Sequence, residues 1–127
     1  MIRILLAEDQ AMVRGALGAL LRLERDIEVL GAVSDGMQAL SECRRLRPDI
    51  VVTDIEMPRM DGFELINSLR RGGWQTLPVV VLTSRSSSKH RDKAIELGAN
   101  AYIVKPFQEQ ELLQTLERET VAIRVAG

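Results

Sequence analysis

The sequence predicts an α/β fold, a doubly wound parallel sheet with helices on both faces. Short runs rich in β-branched residues alternate with longer amphipathic stretches five times along the 127 residues. The runs are almost continuously apolar, as expected for parallel strands that are covered on both sides. Five such units joined by right-handed crossovers favour the flavodoxin-like (βα)5 arrangement, with strand order 2-1-3-4-5.

The predicted strands are the five apolar runs, which lie at Ile2–Ala7, Ile27–Val33, Ile50–Thr53, Val79–Thr83 and Ala101–Val104. Each is four to seven residues long, which suits a strand better than a helix. Pro48 and Pro78 stand just before the third and fourth runs. One domain, residues 1–127, accommodates all five units, because the chain has a common single-domain length.

The predicted helices follow from apolar residues spaced three and four apart. The first helix carries such a stripe, and so does the last, formed by Val13, Ala16, Leu17, Leu20 and Leu21 and by Leu112, Leu113 and Leu116 respectively. Asp35 and Asp61 are predicted to cap helix starts, and Gly72 and Gly98 to follow helix ends. Local capping signals therefore agree with the overall pattern.

Composition excludes several classes of protein. The chain is 46% hydrophobic and 28% charged, with a formal net charge of −1, so it is predicted to be globular and to have no general attraction for nucleic acid. No apolar stretch approaches the ~20 residues of a membrane span, and no signal peptide is recognisable. We expect a cytoplasmic protein. Cys43, the only cysteine, is expected to pack and not to react.

Polar residues stand where four of the predicted strands end. Glu8 and Asp9 follow the first strand, Asp54 follows the third, and Thr83 and Lys105 mark the ends of the fourth and fifth. In sheets of this order, ligands bind outside the carboxyl ends of the strands, at the switch point between strands 1 and 3. These side chains are therefore predicted to meet in one crevice.

The acidic residues of this crevice require a compensating cation. Like charges a few ångströms apart repel by about 4 kcal/mol per pair at an effective dielectric constant near 20. Lys105 supplies one positive charge, and a divalent ion would supply the rest. Because the donors, including Glu56 nearby, are all oxygen atoms, Mg²⁺ is the predicted ion.

The same residues resemble the receiver domain of two-component response regulators. The resemblance rests on Glu8-Asp9, Asp54 with Met57-Pro58, Met60-Asp61-Gly62, Thr83-Ser84 and Lys105-Pro106, and it covers essentially the whole chain. Any one of these motifs alone is weak evidence. All of them, in order and at strand ends, are a specific combination.

The resemblance implies roles for individual residues. Asp54 would accept a phosphoryl group from a sensor histidine kinase, while Glu8, Asp9, Asp54 and the Glu56 backbone carbonyl would surround Mg²⁺, Glu8 through water. Thr83 and Lys105 would each hold a phosphoryl oxygen. The Lys105–Pro106 bond would be cis. Such a protein promotes its own phosphorylation and slow dephosphorylation and does not turn over a substrate.

A conformational switch is also implied. Tyr102 matches the aromatic residue that turns inward as Thr83 moves toward the phosphoryl group, and the responding face would comprise the fourth helix, fifth strand and fifth helix. That face could form a homodimer. Glu56 and Arg85 border the site and are expected to tune the lifetime of the phosphorylated state. The serine-rich connection from Ser84 to Ser88 is where movement is expected.

The two halves of the chain resemble different subfamilies. Up to about Leu65 the sequence is similar to receivers that precede a helix-turn-helix DNA-binding domain, whereas Arg85 to Leu113 is similar to receivers of hybrid chemotaxis kinases. A composite or engineered chain would explain this mixture.

Several of these residues also have simpler interpretations. Asp9 could cap the following helix, Thr83 could be an ordinary strand residue, and Lys105 a solvated charge. His90 is expected to be exposed and Trp74 to pack a surface loop. Two other functions remain open at this level: a phosphatase with an aspartate nucleophile, for which no substrate-covering insertion exists, and a flavin-binding module, disfavoured by the acidic loop at Asp9-Gln10-Ala11-Met12.

Overall fold

The computed structural model describes the backbone of residues 1–126 and the side chains of residues 1–121. Five strands alternate with five helices in the order β1 (Ile2–Ala7), α1 (Ala11–Arg22), β2 (Ile27–Val33), α2 (Gly36–Leu46), β3 (Ile50–Thr53), α3 (Gly62–Arg71), β4 (Val79–Thr83), α4 (Ser88–Leu97), β5 (Ala101–Val104) and α5 (Glu109–Ala126). All five predicted strands are confirmed at both ends.

The strands form one parallel sheet in the order β2-β1-β3-β4-β5, which confirms the predicted topology. The order reverses between β1 and β3, where Ala7 pairs with Thr53 at the carboxyl ends. The residues that follow these two strands therefore begin side by side. The pairing of β1 with β2 is irregular at one point, because its register shifts between Ile4 and Leu5.

Two apolar layers cover the sheet. On one face, β-strand side chains pack with α2, α3 and α4, and on the other they pack with α1 and α5. Leu112 and Leu116 of α5 are fully buried, as the leucine stripe predicted. Cys43 is buried as well, and burial raises the pKa of its thiol to about 11, which agrees with a packing role.

Two predictions about burial were wrong. β2 is partly buried or exposed along most of its length, and Ile27 is its one buried residue, because β2 is one of the two edge strands of the sheet. In α1, Leu17 and Leu21 are buried, but Ala16 faces solvent. The strand order predicted from the sequence already places this strand at an edge, but its largely apolar composition resembles that of the central strands and suggested cover on both faces.

The predicted helix ends are confirmed. Asp35 accepts a hydrogen bond from the backbone of Gln38 at the start of α2 (2.8 Å), and Asp61 forms a capping box with Glu64 at the start of α3. Gly98 ends α4 with φ of +116°, a left-handed conformation that glycine adopts at little cost. These caps fix the starts of α2 and α3 and the end of α4.

Candidate functional site

A crevice of about 270 Å³ opens at the carboxyl ends of β1, β3 and β5. Its walls bring together five of the seven site residues predicted from the sequence, in a lining composed of Glu8, Asp9, Gln10, Val13, Asp54, Glu56, Ser84 and Lys105. Side chains distant in sequence thus share one small polar space, as the strand order requires.

Asp54 occupies the centre of this arrangement. Its backbone N–H donates to the carbonyl of Ala7 (3.0 Å), which ties the end of β3 to the end of β1. The side chain is 11% exposed; Oδ1 accepts a hydrogen bond from the Ile55 N–H (2.6 Å), and Oδ2 lies 3.6 Å from Lys105 Nζ. One oxygen is therefore anchored, while the other lies near a cation and takes part in no closer contact with described residues.

Glu8 and Lys105 form a close ion pair inside the crevice. Lys105 Nζ lies 2.5 Å from Glu8 Oε1, and the Glu8 side chain is only 2% exposed. The other carboxylate oxygen, Oε2, accepts from the backbone N–H of Gln10 (3.1 Å). The peptide bond between Lys105 and Pro106 is cis, as expected. The ion pair with Glu8 shows that Lys105 points into the site and is not a solvated loop charge.

Asp9 differs from its neighbour Glu8. Its side chain is exposed and makes no hydrogen bond or ion pair with the part of the chain that the structure describes. The capping position of α1 is Gln10, with no side-chain bond to the helix. The interpretation of Asp9 as a helix cap is therefore wrong, and its carboxylate oxygens are available to a ligand in the crevice.

Glu56 and Arg85 form an exposed ion pair at the edge of the crevice. Arg85 Nη2 lies 2.5 Å from Glu56 Oε2, and the two side chains are 49% and 53% exposed respectively. The hydrogen bond from Arg85 holds the pKa of Glu56 below its usual range, so Glu56 is ionised at neutral pH. Its side chain faces Arg85, which leaves the backbone carbonyl as the donor it could offer to a metal.

Thr83 and Tyr102 lie behind the crevice wall. Thr83 is fully buried, and its hydroxyl accepts from the backbone N–H of Arg85 (3.3 Å); at this strand end Ser84 lines the crevice instead. Tyr102 is 8% exposed and donates its hydroxyl to the carbonyl of Arg85 (2.6 Å). Burial, followed by the charge of Asp54, raises the pKa of Tyr102. Both side chains thus contact the segment after β4.

The oxygen donors of the crevice suit a magnesium ion that keeps water or phosphate ligands, and not a metal ion held by protein side chains alone. No group of three His, Cys, Asp or Glu side chains is arranged to hold a metal within the described residues. Mg²⁺, however, usually takes one or two carboxylates and completes its shell with water and phosphate oxygens. Asp9 and Asp54 line the same crevice and can supply two carboxylates, with Glu56 contributing its carbonyl.

The sequence interpretation missed several contributors. Gln10 and Val13 line the crevice, and Arg14 of α1 donates to the carbonyls of Glu8 and Asp9. An arginine four residues into a helix is unremarkable in sequence, so nothing there indicated its contact. His90 is not simply exposed: it is half-buried, bonded to Ser87 Oγ (2.6 Å) and stacked on Phe63. Trp74 lies partly buried in the connection after α3, as predicted.

Comparison with known proteins gives a consistent result. A family model of the response regulator receiver domain matches residues 4–117. A protein-glutamate methylesterase/protein-glutamine glutaminase of Koribacter versatilis is 38% identical over 130 residues, which cover 99% of this chain and 35% of that protein. The chain spans less than two thirds of the length of the curated relatives that it matches.

Solved structures agree in fold. A DNA-binding response regulator of the LuxR family from Staphylococcus aureus superposes with a TM-score of 0.87 at 30% identity, covering 94% of this chain and 99% of that one. The receiver domain of the sensor histidine kinase PA1611 from Pseudomonas aeruginosa gives 0.84 at 30% identity, with 94% and 97% covered. That structure has a magnesium ion coordinated in its active-site cleft.

The relatives include LuxR-type DNA-binding response regulators and receivers of chemotaxis proteins, such as the response regulator domain of CheB from Thermotoga maritima. Both kinds align over most of the chain, and not over one half. The mixed resemblance is therefore confirmed, whereas a composite origin stays a hypothesis. Among the described residues, no helix has the length and apolar character needed to cross a bilayer.

Proposed function

The chain belongs to the response regulator receiver domain family of two-component systems, and from this membership we propose that Asp54 accepts a phosphoryl group from a sensor histidine kinase. The observation that carries the proposal is the state of its carboxylate. Oδ1 is fixed by the Ile55 N–H, and Oδ2 lies in the crevice 3.6 Å from Lys105. A held carboxylate with one accessible oxygen is what an attack on phosphorus requires.

The proposed reaction forms one bond and breaks one. Asp54 Oδ2 attacks the phosphorus of a phosphohistidine on the kinase, an O–P bond forms, and the P–N bond breaks as the imidazole nitrogen leaves with the electron pair. The product is an acyl phosphate. Most of the catalysis comes from positioning and from neutralising the charge on the transferring oxygens.

Lys105 is proposed to neutralise part of that charge. In the structure its ammonium group is bound to Glu8, about one ångström closer than it is to Asp54. A phosphoryl oxygen on Asp54 would compete with Glu8 for the same cation. Thr83 is proposed to bond another phosphoryl oxygen, which its buried hydroxyl can do only if the segment after β4 moves.

Magnesium is proposed as the cofactor, with Asp9, Asp54 and the carbonyl of Glu56 as ligands and Glu8 acting through water. When bound, it would stabilise negative charge on the transferring phosphoryl oxygens. The magnesium ion in the related Pseudomonas aeruginosa receiver supports this assignment. The protein residues contribute by holding the carboxylates in one crevice against their mutual repulsion.

The proposed response to phosphorylation starts in the segment after β4. Arg85 of this segment contacts Thr83 through its N–H, Tyr102 through its carbonyl and Glu56 through its side chain. Movement of Thr83 toward a phosphoryl oxygen would disturb all three contacts. The face comprising α4, β5 and α5 would then change, and a partner or a second copy of the chain would bind it.

Residues 1–127 are proposed to act as one receiver domain in the cytoplasm, without direct contact to nucleic acid or membrane. The domain would promote its own phosphorylation and slow dephosphorylation, and it would not turn over free phosphate esters. The phosphatase and flavin alternatives gain no support from the family match.

Intact mass spectrometry tests the proposal. The protein is exposed to acetyl phosphate with Mg²⁺, and the wild type is compared with Asp54→Asn and with Asp26→Asn, which removes an exposed carboxylate after α1. We expect one phosphoryl adduct on the wild type and on Asp26→Asn, none on Asp54→Asn, and none when EDTA replaces Mg²⁺. Equal adduct on Asp54→Asn would refute the role of Asp54.

A further inference from the structure

Arg14 lies outside the crevice but bonds to the loop that carries its acidic pair. Its Nη1 atom donates to the carbonyl of Glu8 (2.8 Å) and to the carbonyl of Asp9 (3.1 Å). The residue lies in the first turns of α1, and its side chain is half-buried. Helical side chains lean toward the helix amino terminus, so the guanidinium group reaches back over the loop that enters α1.

The two residues of the acidic pair are held very differently. Glu8 is fixed through its side chain, by Lys105 on one oxygen and by the Gln10 N–H on the other, and its N–H donates to Val33. Asp9 has none of these supports. Within the described residues, the bond from Arg14 to its carbonyl is the one hydrogen bond that Asp9 makes. Its carboxylate has no partner there.

We propose that Arg14 is a positioning residue, which fixes the backbone of Asp9 so that the carboxylate of Asp9 is presented to a divalent cation in the crevice. The inference rests on the proposed function, since it requires that Mg²⁺ binds there. A ligand on a loop that is free to move must be ordered when the metal binds, and that ordering weakens binding. Arg14 orders the loop beforehand.

Electrostatics makes the sign of the effect informative. The guanidinium group carries a positive charge, and it repels Mg²⁺ over any short distance. If Arg14 acted only through its charge, its removal would strengthen Mg²⁺ binding. If it acts by positioning Asp9, its removal weakens Mg²⁺ binding. The two accounts predict opposite changes in the dissociation constant.

The test measures Mg²⁺ binding to the whole chain by isothermal titration calorimetry, without any phosphodonor. Arg14→Met keeps the length of the side chain and removes its donors, whereas Arg14→Lys keeps a charge and donors. Arg22→Met is the matched control, because Arg22 lies in the last turn of the same helix, is exposed and carries the same charge. Far-UV circular dichroism and the urea midpoint report whether each variant is folded.

We expect Arg14→Met to bind Mg²⁺ about tenfold more weakly than the wild type, the size found when supporting bonds of metal ligands are lost. Arg14→Lys should recover part of the loss, and Arg22→Met should bind like the wild type. At saturating Mg²⁺, the rate of adduct formation with acetyl phosphate should return close to that of the wild type. Amide hydrogen exchange at Asp9 and Gln10 should be faster in Arg14→Met.

Two results would overturn the inference. Unchanged or tighter Mg²⁺ binding by folded Arg14→Met would show that Arg14 does not position Asp9, while the proposed function would stand on the wild-type result. Absence of Mg²⁺ binding by the wild type would remove the proposed cofactor, and the inference with it. If Arg14→Met fails to fold, Arg14→Lys decides: binding equal to the wild type despite faster exchange at Asp9 would equally refute the positioning role.

Discussion

Cationic side chains at the amino ends of the strands make different contacts from those at the carboxyl ends. At the amino ends of the strands, Arg70 and Arg3 bond to uncharged acceptors, namely the carbonyls of Trp74, Leu77 and Gly98 and the Asn100 amide for Arg70, and the carbonyls of Leu46 and Arg47 for Arg3. At the carboxyl ends, Lys105 and Arg85 pair with carboxylates instead.

The difference separates a permanent contact from an exchangeable one. Arg70 donates four hydrogen bonds, at 2.5 to 3.1 Å, to neutral acceptors, and these bonds join the connection that precedes β4 to the connection that precedes β5. Lys105 holds Glu8 but lies only 3.6 Å from Asp54. A new anion at Asp54 can therefore draw Lys105 away. The hydrogen bonds at the amino ends support the fold, whereas the ion pair of Lys105 at the carboxyl ends can change its partner.

Replacement of Lys105 should give the largest effect on chemistry. Lys105→Met should slow phosphorylation by acetyl phosphate by about 10²- to 10³-fold, because a preorganised charge at the transferring phosphoryl group is lost. The same variant leaves Glu8, 2% exposed, without its cation. Rates from intact mass spectrometry are compared with Lys89→Met, an exposed lysine of α4. A rate within threefold of the control, roughly 0.7 kcal/mol, would contradict the role of Lys105.

Replacement of Arg70 should give the largest effect on stability alone. Burial lowers the pKa of Arg70, so its charge is costly to hold there and the four bonds compensate. Arg70→Met should lower the free energy of unfolding by about 2 to 3 kcal/mol, because several partly buried acceptors lose their donor. Urea unfolding measures this. Exposed Arg71→Met is the control, and the adduct yield of the folded variant should not change.

The Glu56–Arg85 pair should affect lifetime more than stability. Both side chains are about half exposed, so salt screens the pair and its loss should hardly move the urea midpoint. Glu56→Gln should shorten the half-life of the adduct by about two- to fivefold, because the pair stands at the crevice edge where water enters. The half-life is followed after removal of acetyl phosphate. An unchanged half-life would mean that the pair does not limit access.

The same pair has a defined pH dependence. Arg85 lowers the pKa of Glu56 in the folded protein, so the unfolded state binds more protons as the pH falls. The contribution of the pair to stability is present above the unfolded pKa of about 4.3 and is lost as the pH falls through the lower folded value. Between pH 7 and pH 5, urea midpoints of the wild type and Glu56→Gln should therefore run parallel, and they should converge only below that range.

The smallest effect is expected at Tyr102. Tyr102→Phe removes a single hydrogen bond between neutral groups, from the hydroxyl to the carbonyl of Arg85, and should cost about 0.5 to 1 kcal/mol in urea unfolding. Phosphorylation of Asp54 should be unaffected, because Tyr102 lies behind the crevice wall. Altered adduct yield in this variant would mean that the hydrogen bond from Tyr102 to Arg85 also controls how Thr83 reaches the phosphoryl group.

The sequence predicted the fold more completely than it predicted the contacts. The strands were found to the residue because β-branched runs end sharply at polar or turn residues. The partial exposure of β2 follows from its edge position, which the predicted strand order contains, whereas its largely apolar composition suggested cover on both faces. Thr83 was predicted to face the crevice, but Ser84 lines it instead, since the direction of a side chain at a strand end depends on where the chain turns.

Long side chains were the other source of error. Arg14 and Arg70 reach acceptors that are far from them in the chain or lie across a loop, so a sequence pattern of helical periodicity shows only that each lies on a helix. The acidic residues and Lys105 could be predicted because strand order alone brings their backbones together. The sequence therefore predicts which residues meet when the backbone sets their positions, but it does not predict the contacts that depend on the reach of a long side chain.

Close backbone contact at two glycines restricts where the site can deform. A methyl group on Gly62 would stand 2.3 Å from the carbonyl oxygen of Asp54, and one on Gly36 would stand 2.2 Å from that of Met60. The starts of α2 and α3 thus rest directly on the loop after β3, without intervening side chains that could repack. That flank of the crevice therefore has little room to move. If Asp54 is phosphorylated as proposed, the resulting change of shape would be taken up on the opposite flank, among the solvent-facing serines that precede α4.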